Sequence, residues 1–433
     1  MRHRWSGVLR PAAFVAGALG LVLGTMGAGA GLSGATPQFQ SPYKYATYVG
    51  GHGKANMKLS PVTIGVVNQR TSTNSPVPQW TTGVKVAVDY VNEQAGGVDG
   101  HPLKAIYCAV PTTVAAAESC GQQFADNSQI DTVDAGVLSI GTTALVDALA
   151  PTKKPILAGL ALTTVLPKVH NAFVLDGTAW SVNIPIATLA KQTLHVKSAS
   201  MIYGSNTPIG AHIATLVKDA FKFEGISKIY TVGYTTHTPN LTEPIEAAHV
   251  ATTTLFIAES AGGHTCSDTY QALKTLGIVT KVKVIVSVTC DTPTVAKADG
   301  GQLPHDWYYL SANPLPGSPT KAVGAAETVF KKYGKAAGGK TAWQTDAFGQ
   351  ILTNVKFDNE ILKSGNKITP AAVAAKARAF KGPMANGPAT ESCGSLAGFP
   401  AVCGSEASFF ENTAPGVMKP IAYGVGMPKG FKV

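Results

Sequence analysis

Apolar residues run almost unbroken through Val62-Thr63-Ile64-Gly65-Val66-Val67, the pattern of a strand buried on both faces. After a polar stretch, Val84, Ala87, Val88 and Val91 recur at helical spacing, and Asn92 with the Gly96-Gly97 pair ends that helix and turns the chain. A second apolar segment, Leu103 to Tyr107, follows the turn. Strand, helix and strand in this order predict a βαβ unit. The alternation continues to about residue 173, restarts at Ile184 and runs to about Pro304, with strands expected at Ala199–Tyr203, Lys228–Val232, Thr254–Ala258 and Val282–Val288. Two such halves joined by crossovers predict an α/β protein of two parallel-sheet lobes with a cleft between them. Helices are expected at Ser318–Tyr333 and Trp343–Leu362, a Gly-, Ser- and Pro-rich stretch beyond Pro383, and a last strand near Ile421-Ala422-Tyr423.

Length and composition fit this division, since 433 residues at 45% apolar content suffice for two packed cores. The N-terminus changes the picture of where the protein works. Arg2, Arg4 and Arg10, an apolar glycine-rich run from Pro11 to Leu23 and then small residues form the layout of a secretory signal peptide, with cleavage expected after Ala30 or Ala35. That run falls short of the ~20 residues that span a bilayer. Leu32-Ser33-Gly34-Ala35 resembles a lipoprotein processing site with alanine in place of the lipid-bearing cysteine, so no lipid is expected there. The expected location is secreted, periplasmic or cell-envelope, and residues 36–59, without periodicity, are expected to be a flexible tether. The whole chain carries a net charge of +10. Loss of the three leader arginines leaves 32 basic against 25 acidic residues, a net +7, scattered in a way that argues against nucleic acid as a partner.

Six cysteines support an oxidising compartment. Sequence alone allows fifteen connectivities. The sequential one, Cys108 with Cys120, Cys266 with Cys290 and Cys393 with Cys403, is favoured because each pair closes a local loop. The spacings contain no C-x-x-C metal or redox motif. Gly334-Lys335-Ala336-Ala337-Gly338-Gly339-Lys340-Thr341 satisfies the phosphate-loop pattern, but a helix is expected before it where a strand is needed. Gly29-Ala30-Gly31-Leu32-Ser33-Gly34 satisfies a dinucleotide pattern inside the leader, with no strand before it. Neither G-x-S-x-G nor H-E-x-x-H occurs. The reading is therefore a non-enzymatic protein without metal or cofactor.

The segment SPVPQWTTGVKVAVDYVNEQAGGVDG, residues 75–100, resembles the corresponding part of the extracytoplasmic solute-binding proteins of the leucine/isoleucine/valine type, which serve ABC importers. The resemblance extends from about Ser60 to Tyr423. It takes in Ala115-Ala116-Ala117 to Phe124, Ala135-Gly136-Val137-Leu138-Ser139, Lys154-Pro155-Ile156-Leu157-Ala158, Ser200-Met201-Ile202-Tyr203-Gly204 with Pro208-Ile209-Gly210, and the helix Ala347–Leu362. It implies the type I periplasmic binding protein fold, two Rossmann-like lobes joined by a hinge. Lobe I is expected at 60–177 and 309–383, and lobe II at 178–308 and 384–433.

The same resemblance places the ligand site. Trp80 aligns with a tryptophan that packs on the ligand side chain. Ser139, Thr142 and Thr143 supply hydroxyls in the loop that receives a ligand carboxylate at a helix N-terminus. The family's key serine falls on Ile140, its ligand-binding threonine on Leu162 beside Thr163, and its cleft tyrosine on Ile209. The acidic partner of a substrate ammonium falls near Val288 or Thr289, with Asp291 only approximately placed, and Glu259 and Ser260 follow a lobe II strand. An unpaired buried ammonium costs several kcal/mol, so a more apolar or carboxylate-only solute gains weight over a standard amino acid. The implied function is capture of a small organic ligand by a monomer and its delivery to an ABC permease. The alternatives are a sensing subunit for a signalling partner and, less favoured, a secreted hydrolase.

Overall fold

The computed structural model describes residues 41–70, 77–111, 113–207, 209–235, 238, 240–259, 263–291, 293–334 and 341–433. The first half runs through α1 (Tyr45–Val49), β1 (Val62–Asn68), α2 (Pro78–Gln94), β2 (Leu103–Ala109), α3 (Val114–Asp126), β3 (Ile130–Ala135), α4 (Thr142–Leu149), β4 (Ile156–Ala161) and β5 (Ala172–Thr178). The second half follows with α5 (Ala179–Asn183), α6 (Pro185–Gln192), β6 (Ser198–Gly204), α7 (Gly210–Phe223), β7 (Lys228–Tyr234), α8 (Thr242–Ala247), β8 (Leu255–Ala258), α9 (Gly263–Thr275), β9 (Lys283–Ser287), α10 (Pro293–Ala298) and β10 (Trp307–Ser311). Then come α11 (Lys321–Tyr333), α12 (Ala342–Lys363), α13 (Pro370–Ala379), β11 (Ala407–Ala414) and β12 (Val417–Val425).

Two sheets result. The first has the order β2-β1-β3-β4-β5 and is parallel throughout. The second has the order β12-β11-β10-β9-β8-β6-β7, parallel from β10 to β7 and closed on its other side by the antiparallel β11–β12 hairpin. Each sheet has an apolar core on both faces, as unbroken apolar strands require. On one face of the first sheet Val84, Val91, Phe348, Ile351 and Val355 meet; on the other, Val67, Phe124, Leu145 and Val174. The second sheet is flanked by one cluster around Leu189, Met201 and Ile213 and another around Phe256, Val284 and Tyr309. The protein is thus the two-lobed α/β architecture expected.

α11 and α12 return to the first lobe, where Phe330 and Phe348 pack edge-on at 5.6 Å. The chain passes between the lobes three times: after β5, between β10 and α11, and between α13 and β11. Two stretches depart from the sequence reading. Residues 45–49, expected within a tether, form α1, because Tyr45 and Val49 are apolar enough to be buried in the lobe I core and the Tyr45 hydroxyl donates to the Ala322 carbonyl at 2.9 Å. The stretch beyond 384, placed in lobe II from sequence, divides. β11 and β12 join the second sheet, while residues 401–403 bond to Val174 of β5 in the first.

The three sequential disulfides are present, with Cα–Cα separations of 5.6, 5.4 and 3.7 Å. Cys108–Cys120 ties β2 to α3, Cys266–Cys290 ties α9 to the end of β9, and Cys393–Cys403 closes the loop that lies on β5. The leader, with its dinucleotide-like glycines, and residues 335–340 of the phosphate-loop pattern lie outside the described residues. The segment before that pattern is α11, a helix and not a strand. Among the described residues no helix is long and apolar enough to cross a membrane.

Candidate functional site

In open parallel sheets, ligands collect beyond the carboxyl ends of the strands, where the loops meet the N-termini of the following helices. Here that edge of the first lobe carries a pocket of about 250 Å³, formed by Val114, by Ser139 and Gly141 of the β3–α4 loop, by Thr142 to Ala144 at the start of α4 and by Thr163 to Val165 after β4; Ile209, just before α7, closes it from the second lobe. Five residues expected from sequence therefore come together: Ser139, Thr142, Thr143, Thr163 and Ile209.

The loop geometry follows from two residues. Gly141 has φ +72° and an added Cβ would lie 2.4 Å from the Ala117 side chain, so only glycine fits the turn into α4. Gln69, at the end of β1, accepts hydrogen bonds from the Ser139 N–H at 2.9 Å and the Ser139 hydroxyl at 3.0 Å, which fixes the loop from below. Having glycine before its first residue, α4 lacks a side-chain cap, and its first-turn N–H groups have no intrahelical acceptor. The Thr142 and Thr163 hydroxyls are buried and have no hydrogen-bond partner among the described residues. The lining combines the hydroxyl-bearing Ser139, Thr142, Thr143, Thr163 and Thr164 with the apolar Val114, Val165 and Ile209. Among the described residues, none that lines the pocket is charged. Such a site suits the carboxylate or other oxygen acceptor of a ligand whose body is apolar.

The other expected site residues lie elsewhere. Trp80 is wholly buried in the lobe I core, and its indole N–H donates to Asp134 Oδ1 at 3.1 Å. The ring occupies space left by two glycines, for a Cβ at Gly136 or Gly159 would come within 2.8 or 2.5 Å of it. Trp80, expected at the ligand, therefore does not line this pocket: the absence of two side chains leaves room for the ring inside the lobe. Leu162 is half-buried and packs against the cores of both lobes without lining the pocket. Asp291 follows β9 off the pocket, and burial lifts its pKa to about 7. Glu259, after β8, is likewise raised to about 7 by burial, with a backbone hydrogen bond at Gly204 opposing. Ser260 lies outside the described residues. Sequence reasoning missed Gln69, Val114 and Val165; only the topology, which brings the ends of β1, β3 and β4 side by side, reveals them.

Comparison with known proteins bears on the fold and the family. Residues 61–395 match the family model described as periplasmic binding protein. No curated protein matches the sequence. Among solved structures, a fatty acid ABC transporter substrate-binding protein from Thermomonospora curvata is 14% identical with a TM-score of 0.68, covering 89% of this chain and 97% of its own. A solute-binding protein from R. palustris in complex with 4-hydroxybenzoate is 17% identical with a TM-score of 0.66, over 86% and 99% of the two chains. A branched-chain amino acid transporter substrate-binding protein from Streptococcus pneumoniae in complex with isoleucine is 13% identical with a TM-score of 0.65, over 83% and 99%. At these identities the structures establish the shared type I fold. With the family model matched over most of its length, the chain belongs to the periplasmic binding protein family, a family of non-enzymatic solute binders.

Proposed function

We propose that this protein is the extracytoplasmic solute-binding component of an ABC-type importer, exported by its N-terminal leader without lipid attachment and acting as a monomer. It captures a carboxylate with an apolar body, amino-acid-like at most in size, and presents the closed pair of lobes to the permease. One observation carries the ligand class: the pocket is lined by serine and threonine residues and the uncapped start of α4 and, among the described residues, by no charged side chain. Glu259 and Asp291 do not line it, and burial raises the pKa of both. Residues 71–76, 112, 208, 236–237, 239, 260–262, 292 and 335–340 include no aspartate or glutamate.

The solved relatives named above include binders of 4-hydroxybenzoate and isoleucine, which bracket the choice. Titration calorimetry of the full chain with 4-hydroxybenzoate, octanoate, leucine and 4-methylpentanoate tests it. Binding of an ammonium-free acid, weakened about tenfold or more by Thr142→Val, is expected. Tight binding of leucine with rejection of 4-methylpentanoate would overturn the ligand class.

A further inference from the structure

Two carboxamides stand at the end of β1, and they serve different segments. Asn68 Nδ2 donates to the Val77 carbonyl at 2.7 Å and to the Thr81 hydroxyl at 2.9 Å, which holds the start of α2. Gln69, 1% exposed, serves the ligand loop between β3 and α4. Its Oε1 lies 2.9 Å from the Ser139 backbone nitrogen and 3.0 Å from Ser139 Oγ.

These two contacts fix where the hydrogens sit. The Ser139 N–H can only donate, so the Gln69 atom facing it is the carboxamide oxygen and not the nitrogen. That oxygen carries no hydrogen, so the one between it and Ser139 Oγ belongs to the serine. A hydroxyl has a single hydrogen, and here it is committed to a buried partner. Among the described residues nothing donates to Ser139 Oγ in return. Ser139 lines the pocket, while Gln69 does not, and toward a ligand the serine hydroxyl offers lone pairs only. Three residues later α4 begins without a side-chain cap, so its first-turn N–H groups are donors. One short loop thus sets an acceptor beside donors.

We propose that Ser139, oriented by Gln69, accepts a hydrogen bond from the ligand, and that the ligand is a 2-hydroxy acid. Its carboxylate meets the first turn of α4, and the hydroxyl on the neighbouring carbon donates to Ser139 Oγ. This rests on the pocket being the ligand site of the proposed function, and it narrows the acid expected there. An ammonium also donates, but among the described residues no charged side chain lines the pocket to balance it. Gln69 is a positioning residue, acting on the ligand through Ser139.

Titration calorimetry of the full chain tests the proposal with 4-methylpentanoate, octanoate and 3-phenylpropanoate, each against its 2-hydroxy counterpart, and with leucine alongside. At least one hydroxy acid should bind about fivefold or more tighter than its parent acid. Ser139→Ala should bring that ratio close to one. Gln69→Leu, which frees the serine hydrogen to turn to the ligand, should do the same. Gln69→Glu keeps an acceptor for both bonds and should preserve the ratio while weakening every acid through its charge; a merely structural role of Gln69 would shift all affinities and leave the ratio unchanged in all variants. A ratio that survives Ser139→Ala, or survives a folded Gln69→Leu, overturns the proposal, and Ser139→Ala decides alone should Gln69→Leu fail to fold. Parent acids binding as well as their hydroxy counterparts in every pair would overturn it too, with the apolar carboxylate reading left intact. Rejection of every acid, whether or not leucine binds, would overturn both.

Discussion

The C-terminal end of α3 and the lobe connections both bury ionisable groups, and they do so in opposite ways. At the end of α3 the Lys154 ammonium donates to the carbonyls of Phe124, Ala125 and Asn127 at 2.6, 3.1 and 2.8 Å. One cation thus satisfies carbonyls that the end of a helix leaves open, at the negative end of its dipole. Burial still lowers the lysine pKa, with Asp131 and Asp126 opposing. At the lobe connections burial raises the pKa of Asp176 and Asp346, against only the opposing hydrogen bond of the Asn313 side chain. The contrast teaches that a buried charge is kept where the backbone supplies its partners, and is discharged by a proton where it does not.

The comparison breaks most visibly on the lysine side. Lys154→Met removes the donor from three carbonyls and should cost about 4 kcal/mol, read as a lower urea midpoint at unchanged m-value. The disulfide that joins the same helix to β2 comes next. Replacing Cys108 and Cys120 by serine frees a short loop in the unfolded chain and should cost about 3 kcal/mol in the same assay.

Trp80→Phe sharpens the comparison by moving Asp134 from the satisfied class to the unsatisfied one. The ring volume is largely kept, but Asp134 Oδ1 loses its donor, for a cost of about 2 kcal/mol. The Asp134 pKa, already about 7 through burial against the opposing bonds of Trp80 and Gln350, should rise further. The smallest effect is expected at Asp358, whose Oδ2 accepts from Asn354 at 3.3 Å and whose pKa burial raises to about 8. Asp358→Asn mimics its protonated form and should cost no more than about 1 kcal/mol at pH 5. As pH rises from 4 to 8 the wild type loses the contribution of this carboxyl and the variant does not, so the gap should narrow and then reverse. A gap that widens with pH would show the carboxylate to be charged in the fold.

The two α/β halves were legible because buried parallel strands are continuous apolar runs, and Val62 to Val67 or Val282 to Val288 admit no other element of that length. The hydroxyl loop after β3 was legible for a related reason: a strand-to-helix junction in a parallel sheet must lie at the ligand edge. The direction of Trp80 is not legible in the sequence because it depends on Gly136, just after β3, and Gly159 of β4, which leave room for the ring only once the sheet is assembled. α1 was missed because five residues with two apolar positions carry no periodicity, and only the surface of α12 makes them a helix. The buried acids were invisible for the opposite reason. An aspartate inside Ile130–Ala135 or Ala172–Thr178 is a warning, but Asp346, Gln350, Asn354 and Asp358 share a helical stripe that reads as a solvated face, and burial of both sides of α12 cancels that expectation.

The return of α12 to the first lobe and of the β11–β12 hairpin to the second also sets the order in which the protein can be completed. A chain emerging from its N-terminus has all five strands of the first sheet by Thr178, yet Phe348, Ile351 and Val355, which cover one face of that sheet, arrive 170 or more residues later. The second sheet in turn waits for Val425. Neither lobe closes its core until nearly the whole polypeptide has been made, so the nascent chain stays unlocked throughout synthesis, in the state that a translocation channel for unfolded polypeptides accepts.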